Sequence, residues 1–76
     1  MSTPYQLELM RHALGMASKH PGYRNYFDAE PGGEDNRQWA LLVKEGLAVV
    51  TREPSDLFPG RIYAVSDAGK KTLFPQ

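Results

Sequence analysis

The fold of this chain is decided by residues 35–66, whose sequence is DNRQWALLVKEGLAVVTREPSDLFPGRIYAVS. The first third of this stretch predicts a helix, because Asp35 and Gln38 stand at the spacing of a capping box, which satisfies the free amides of a first turn. Gly46 can adopt the left-handed backbone conformation that ends a helix in a Schellman stop. We therefore expect a helix of about eleven residues that begins near Asn36.

The predicted helix has two faces of different character, since successive side chains are turned by about 100° around its axis. One side carries Trp39, Leu42, Val43 and Gly46. The opposite side carries Arg37, Leu41 and Lys44. We expect the first side to pack against a sheet and the second side to face solvent.

Two strands follow this helix. Residues 47–53 and 61–66 are rich in β-branched side chains and alternate weakly between apolar and polar, as half-buried strands do. The intervening residues 54–60 contain two prolines and a glycine, which end both strands and make the pair an antiparallel hairpin. Leu57 and Phe58 occupy the tip of the loop, where polar residues are the usual choice.

This succession of a helix, a hairpin and a further helix start resembles winged-helix domains. The similarity lies in Leu42-Val43-x-x-Gly46-Leu47, the hairpin, and Tyr63-x-Val65-Ser66-x-x-Gly69. In winged-helix domains a helix ends in Gly-Leu, a β-wing follows, and a Thr/Ser-x-x-Gly turn starts the next helix. Many of them are DNA-binding regulators, so the resemblance implies cations that contact the phosphates of double-stranded DNA. It places in that role Arg37 and Lys44 on the helix and Arg52 and Arg61 on either side of the wing.

A second resemblance spans most of the chain. Arg11-His12-Ala13-Leu14-Gly15 followed by Tyr23-Arg24-Asn25-Tyr26-Phe27 is similar to small proteins encoded by phages and prophages. Those proteins are of unknown function. This resemblance therefore implies an origin for the chain and no activity.

Length and composition narrow the choice of function. The 76 residues are near the lower limit for a single hydrophobic core, so we expect one domain over residues 1–76. The chain contains no cysteine, which leaves neither a disulfide nor a thiolate metal site to stabilise it. Nine basic and nine acidic residues cancel, and this disfavours a non-specific nucleic-acid binder because such proteins are usually basic.

No apolar run approaches the ~18 residues that span a bilayer and the N-terminus lacks a signal pattern, so we expect a cytoplasmic protein without a membrane partner.

The N-terminal residues predict another helix. Thr3 is its cap, Pro4 fits its first position, and Gln6 completes a capping box. We expect this helix to run to about Ala17, with Gly15 facing water. Its core stripe consists of Leu7, Met10, Leu14 and Ala17. A second apolar stripe beside it consists of Tyr5, Leu9, His12 and Met16. Because the apolar sector is this wide, we expect its second stripe to pack against either another copy of the chain or the C-terminal helix.

Between the two helices, turn signals at residues 20–22 and 31–33 bracket residues 23–29. Their composition favours a strand that adds a third member to the sheet of the hairpin. On such a strand Tyr23 and Phe27 share a face that could stack nucleic-acid bases, although core packing is the favoured role. A helix-turn-helix needs a helix at this point, so the chain departs here from the winged-helix pattern.

The C-terminal residues predict a short helix that Ser66 caps and that runs through Leu73. With it, the predicted fold class is α+β. We expect a small winged-helix-like domain in the order α-β-α-β-β-α, with a short antiparallel sheet of two or three strands.

No pattern in the sequence indicates catalysis or a bound cofactor. Residues 28–35 hold four carboxylates, but they lack the alternation of a calcium loop, and Glu34 and Asp35 suit the start of a helix. His12 and His20 have no partner at the spacing of zinc ligands. We therefore expect neither an enzyme nor a protein that binds a cofactor or a metal ion.

Two hypotheses about function remain open. The first is a regulatory protein that binds double-stranded DNA as a homodimer through the four cations named above. The second is a non-catalytic interaction module, such as a phage accessory or adaptor protein, which binds another protein or a second copy of itself. Its contact residues would be Leu41, Leu57, Phe58, Tyr5, Leu9 and Met16. The helix-wing-helix pattern favours the first hypothesis, and the zero net charge favours the second.

Overall fold

The computed structural model describes residues 2–15 and 24–74. Six elements lie in these ranges: α1 (Pro4–Ala13), β1 (Phe27–Ala29), α2 (Glu34–Lys44), β2 (Ala48–Arg52), β3 (Arg61–Val65) and α3 (Asp67–Leu73). The strands form an antiparallel sheet in the spatial order β1-β3-β2. The α+β class predicted from the sequence is confirmed.

The third strand expected within residues 23–29 is present, but it is shorter than that stretch. β1 begins at Phe27, which lies opposite Tyr63 of β3, and ends at Ala29 opposite Arg61. On its other side β3 pairs with β2, where Val50 lies opposite Tyr63, and an irregularity in register follows between Val50 and Arg52. Tyr23, expected in the same strand, lies outside the described residues.

The core lies between the sheet and the helices α1 and α2. Its largest fully buried side chains are Trp39, Tyr63, Met10, Leu14 and Leu42. The ring of Trp39 stacks on that of Tyr63, with 5.4 Å between centroids, and its other neighbour is Phe27 at 5.5 Å. These three rings join α2 to β3 and β1.

α1 begins as predicted and ends earlier than predicted. The Thr3 hydroxyl accepts the Gln6 amide hydrogen and the Gln6 side chain accepts that of Thr3, which completes the capping box. The helix ends at Ala13 rather than near Ala17, because Gly15 takes a φ of 65° and its N–H turns back to the carbonyl of His12. Gly15 is also buried rather than facing water. Ala17 lies outside the described residues.

The division of α1 into two apolar stripes is only partly correct. Leu9, expected on the second stripe, is a core residue with 8% of its surface exposed, and Gln6 is buried as well. Tyr5 and His12, which were expected to be covered by another copy of the chain or by the C-terminal helix, are exposed. The predicted members Met16 and Ala17 lie outside the described residues.

α2 has the predicted length but begins earlier. Its cap is Gly33, which makes no side-chain hydrogen bond to the first turn, so the expected cap at Asp35 was wrong. The Asp35 carboxylate instead accepts a hydrogen bond from the Tyr5 hydroxyl. The predicted end is confirmed, since Gly46 has a φ of 80° and the N–H of Leu47 donates to the carbonyl of Leu42 at 2.9 Å.

α3 starts against the junction of α2 and β2. The Ser66 hydroxyl accepts from the N–H of Gly69 at 3.1 Å and donates to the carbonyl of Gly46 at 2.7 Å. Gly69 is buried, and a Cβ at this position would lie 2.2 Å from the carbonyl oxygen of Leu47 and 2.6 Å from Cγ1 of Val65. Only a hydrogen at Gly69 lets the helix lie this close to the hairpin.

We expect Gly69→Ala to lower the free energy of unfolding by about 1–3 kcal/mol, because the added methyl group forces backbone apart in a packed site. Urea denaturation followed by circular dichroism measures this change. Lys70→Ala, at an exposed position of the same helix, is the control and should stay within about 0.5 kcal/mol of the parent. Equal stability of Gly69→Ala and the parent would contradict the close contact.

Candidate functional site

The start of α2 and the hairpin loop together border an open groove of about 540 Å³, here called the helix-hairpin groove. From the side of α2 it is lined by Gly33, Asn36, Arg37 and Ala40, and from the side of the hairpin by Pro54, Pro59 and Arg61. Two of the four cations predicted to contact DNA therefore border one surface. They reach it from different elements.

Arg37 is held by a neighbour one turn earlier in α2. Its Nη2 lies 2.7 Å from Oε2 of Glu34, and its Nε also donates to that carboxylate. The bonds from Arg37, and then that from Gln38, hold the pKa of Glu34 below its ordinary value, while the same pairing raises the pKa of Arg37. The Arg37 side chain is nonetheless 66% exposed and accessible to a ligand.

Arg61 is held by side chains of the hairpin. Its Nη1 donates to the hydroxyl of Tyr63 at 3.3 Å, and its Nε lies 3.1 Å from Oε1 of Glu53. The bond to Tyr63 is the main cause of a raised pKa for Arg61. The Tyr63 hydroxyl in turn donates to Oδ1 of Asn36 at 2.6 Å, which connects this arginine to the first turn of α2.

Arg52 faces a different groove from Arg61, although both lie beside the hairpin loop. Its guanidinium lies 4.5 Å from the ring centroid of Phe58, at cation-π distance. The groove of about 340 Å³ that it borders also contains the acidic residues Asp28 and Glu30. Arg52 therefore lies beside two acidic residues rather than in a basic patch.

The tip of the hairpin loop exposes two apolar side chains, Leu57 at 84% and Phe58 at 53%. The loop is nevertheless ordered by hydrogen bonds, since Ser55 donates its N–H to the carbonyl of Phe58 and accepts the Phe58 N–H through its hydroxyl. The tip does not fold onto the core. The exposed tip is compatible with the protein-interaction role considered for Leu57 and Phe58 from the sequence.

Lys44 is exposed in the last turn of α2, on the same face as Arg37. Seven residues of helix separate the two along the axis by roughly 10 Å. Leu41 lies between them and is exposed, as predicted. The outer face of α2 thus presents a cation, an apolar side chain and a second cation in line.

A larger groove of about 1040 Å³ lies beside α1. Tyr5, Leu9 and His12 border it from α1, Phe27 from β1 and Asp35 from α2. The bond to Asp35 raises the pKa of Tyr5. Met16, predicted to share this surface, lies outside the described residues.

The described residues do not bring together three metal-binding side chains of His, Cys, Asp or Glu type. The carboxylates of Glu34 and Asp35 bind Arg37 and Tyr5, respectively. His12 packs edge-on against Phe27 at 5.6 Å, and His20 lies outside the described ranges. Within residues 2–15 and 24–74, no helix has the length and apolar character needed to cross a membrane.

No protein-family model, curated protein or solved structure matches this chain.

The sequence did not reveal the hydrogen bonds that organise the helix-hairpin groove. Arg61 and Tyr63 are two residues apart on β3, so strand periodicity places them on one face. The contact of Tyr63 with Asn36, in contrast, depends on how α2 crosses the sheet. Asn36 also donates through Nδ2 to the carbonyl of Glu30, so it joins α2 to the preceding turn.

We expect Arg37→Ala to raise the pKa of Glu34 toward its ordinary value of 4.5, because the substitution removes the main group that stabilises the ionised carboxylate. In the parent, the lowered pKa stabilises the fold above pH 4.5, and this stabilisation is lost as the pH falls through the folded-state pKa. Carboxyl chemical shifts in an NMR titration measure the effect. Lys44→Ala is the control, and an unchanged Glu34 pKa in Arg37→Ala would contradict the assignment.

Proposed function

We propose that this chain is a small, non-catalytic, phage-type winged-helix protein that binds double-stranded DNA through α2 and the hairpin and acts as a regulator. The observation that carries the proposal is the helix-hairpin groove, which has Arg37 on one side and Arg61 on the other. A helix and a hairpin are the two elements through which winged-helix domains contact DNA. Lys44 extends the cationic face along α2.

The ion pairs at the groove do not prevent contact with phosphate. Both arginines pair with exposed glutamates, and pairs of this kind contribute only about 0–1 kcal/mol because water screens them. A phosphate accepts the same bidentate hydrogen bonds from a guanidinium as a carboxylate does. Exchange of Glu34 or Glu53 for a DNA phosphate therefore has a low energetic cost.

Binding of a mixed-sequence duplex, measured by fluorescence anisotropy over a range of salt concentrations, tests this proposal. Three phosphate contacts by Arg37, Lys44 and Arg61 correspond to a slope of log affinity against log salt of about −3. The charge reversal Arg37→Glu/Lys44→Glu should reduce affinity at least about tenfold and make the slope shallower by about 2.

Lys70→Glu/Lys71→Glu on α3 is the matched control, since it changes the net charge equally at exposed positions away from the groove. Its affinity should stay well above that of the α2 variant. Equal losses in the two variants would mean that only net charge matters. Absence of binding at low salt from the folded parent, with its oligomeric state measured on the same sample, would reject the DNA proposal.

The exposed loop tip favours a second candidate function, that of a protein-interaction module. Leu57 and Phe58 project from an ordered turn, and Arg52 stacks on the ring of Phe58. Aromatic and arginine side chains of this kind often dominate the binding energy of protein interfaces. Under this candidate the partner is a protein with an apolar pocket that receives the tip.

For this candidate, Leu57→Ser/Phe58→Ser should leave the free energy of unfolding within about 0.5 kcal/mol of the parent and abolish binding to such a partner. Affinity capture followed by mass spectrometry compares the parent with the variant. Val49→Ser, at an exposed apolar position of β2 away from the tip, is the control. Partners retained equally by all three proteins would exclude the tip as a docking element.

A further inference from the structure

Three segments of the chain meet in one line of hydrogen bonds beside the helix-hairpin groove, and an ion pair joins a fourth segment to it. Arg61 donates to the Tyr63 hydroxyl at 3.3 Å, that hydroxyl donates to Oδ1 of Asn36 at 2.6 Å, and Nδ2 of Asn36 donates to the carbonyl of Glu30 at 3.1 Å. At the other end, Nε of Arg61 lies 3.1 Å from Glu53. The line thus runs from the turn before α2, through α2 and β3, to the end of β2.

Within this line, Tyr63 is held rigidly by the core, whereas Arg61 is accessible from solvent. Tyr63 is fully buried, and its ring is stacked on Trp39 with an interplanar angle of 15°. Its hydroxyl therefore occupies a position fixed by the core. Arg61, in contrast, keeps 35% of its side chain exposed and borders the groove.

We infer that Tyr63 is a positioning residue for anion binding: its hydroxyl holds the guanidinium of Arg61 at a fixed place relative to α2. The inference rests on the proposed function, with a DNA phosphate as the ligand of Arg61. A long arginine side chain loses conformational entropy when it binds, and a guanidinium that is already held loses less. The tie to Asn36 also sets the spacing between Arg61 on the hairpin and Arg37 on the helix.

This position differs from that of the other cation beside the loop. Arg52 contacts the ring of Phe58, which is itself half exposed at the loop tip. Of these two arginines, Arg61 is the one bonded to a group that the core fixes. The line of hydrogen bonds therefore singles out Arg61, and not Arg52, as the arginine whose direction is set in advance.

A double-mutant cycle between Tyr63→Phe and Arg61→Ala tests the inference. Tyr63→Phe keeps the buried ring and removes only the hydroxyl, and it should weaken binding of a duplex about fivefold, the change expected from one hydrogen bond. In the Arg61→Ala background the same change should have no effect on affinity. A general structural effect of Tyr63→Phe would instead lower affinity equally in both backgrounds, which would overturn the inference.

Tyr26→Phe is the matched control, because it removes a tyrosine hydroxyl at an exposed position outside this line. Its affinity for the duplex should equal that of the parent. A loss as large as that of Tyr63→Phe would also contradict the assigned role.

A measurement without DNA separates this inference from the proposed function. In NMR spectra, the Nη1 hydrogens of Arg61, which donate to the Tyr63 hydroxyl, should exchange slowly with water in the parent and at least about threefold faster in Tyr63→Phe, because they have lost their acceptor. Unchanged exchange would show that Tyr63 does not hold Arg61. If the exchange changes but the parent binds no duplex, the proposed function fails while the positioning by Tyr63 stands.

Discussion

The stacking of Trp39 on Tyr63 is the contact on which the rest of the structure depends. It joins the middle of α2 to the central strand of the sheet, with 5.4 Å between ring centroids and both side chains fully buried. An aromatic side chain of this size buries at least about 150 Å², which corresponds to roughly 4 kcal/mol of hydrophobic stabilisation. Domains of this length have few kcal/mol to lose, so loss of this contact would remove a large share of the stability. The Nε1 of Trp39 is buried without a hydrogen-bond partner among the described residues. This indicates that burial of the large ring stabilises the fold by more than the unsatisfied N–H group costs.

The same contact connects the core to the candidate site. Because the ring of Tyr63 is fixed by Trp39, its hydroxyl reaches Asn36 and Arg61 from a constant position at the edge of the core. A substitution that shifts the ring would therefore also move the side chains that border the helix-hairpin groove. The side chain of Tyr63 thus connects the core directly to the groove, since its ring packs on Trp39 and its hydroxyl contacts Asn36 and Arg61.

Features that depend on neighbouring residues in the chain were predictable from the sequence, whereas features that depend on distant residues were not. The end of α2 at Gly46 and the cap of α3 at Ser66 rest on hydrogen bonds within a few residues, and both were predicted correctly. The start of α2 was misplaced because the Asp35 carboxylate, which suited a local cap, binds the hydroxyl of Tyr5 thirty residues away. The candidate site follows the same rule, since periodicity predicted the exposed face of α2 but not the partners of Arg37 and Arg61. Leu9 was assigned to the second apolar stripe instead of the core for a similar reason, because the width of the face that α1 buries is set by the sheet and α2 and not by α1 alone.

The zero net charge of the chain can be reconciled with the proposed binding of DNA by the local arrangement of charges. Non-specific affinity follows the number of phosphates that cations neutralise, and here Glu34 and Glu53 offset the two arginines of the groove until a ligand displaces them. Under the proposed function, the helix and the hairpin would exchange their glutamates for phosphates of the same duplex, so contact by one element would raise the local concentration of phosphate for the other. The zero net charge of the whole chain does not prevent such binding, because the number of phosphates contacted depends on the cations at the groove.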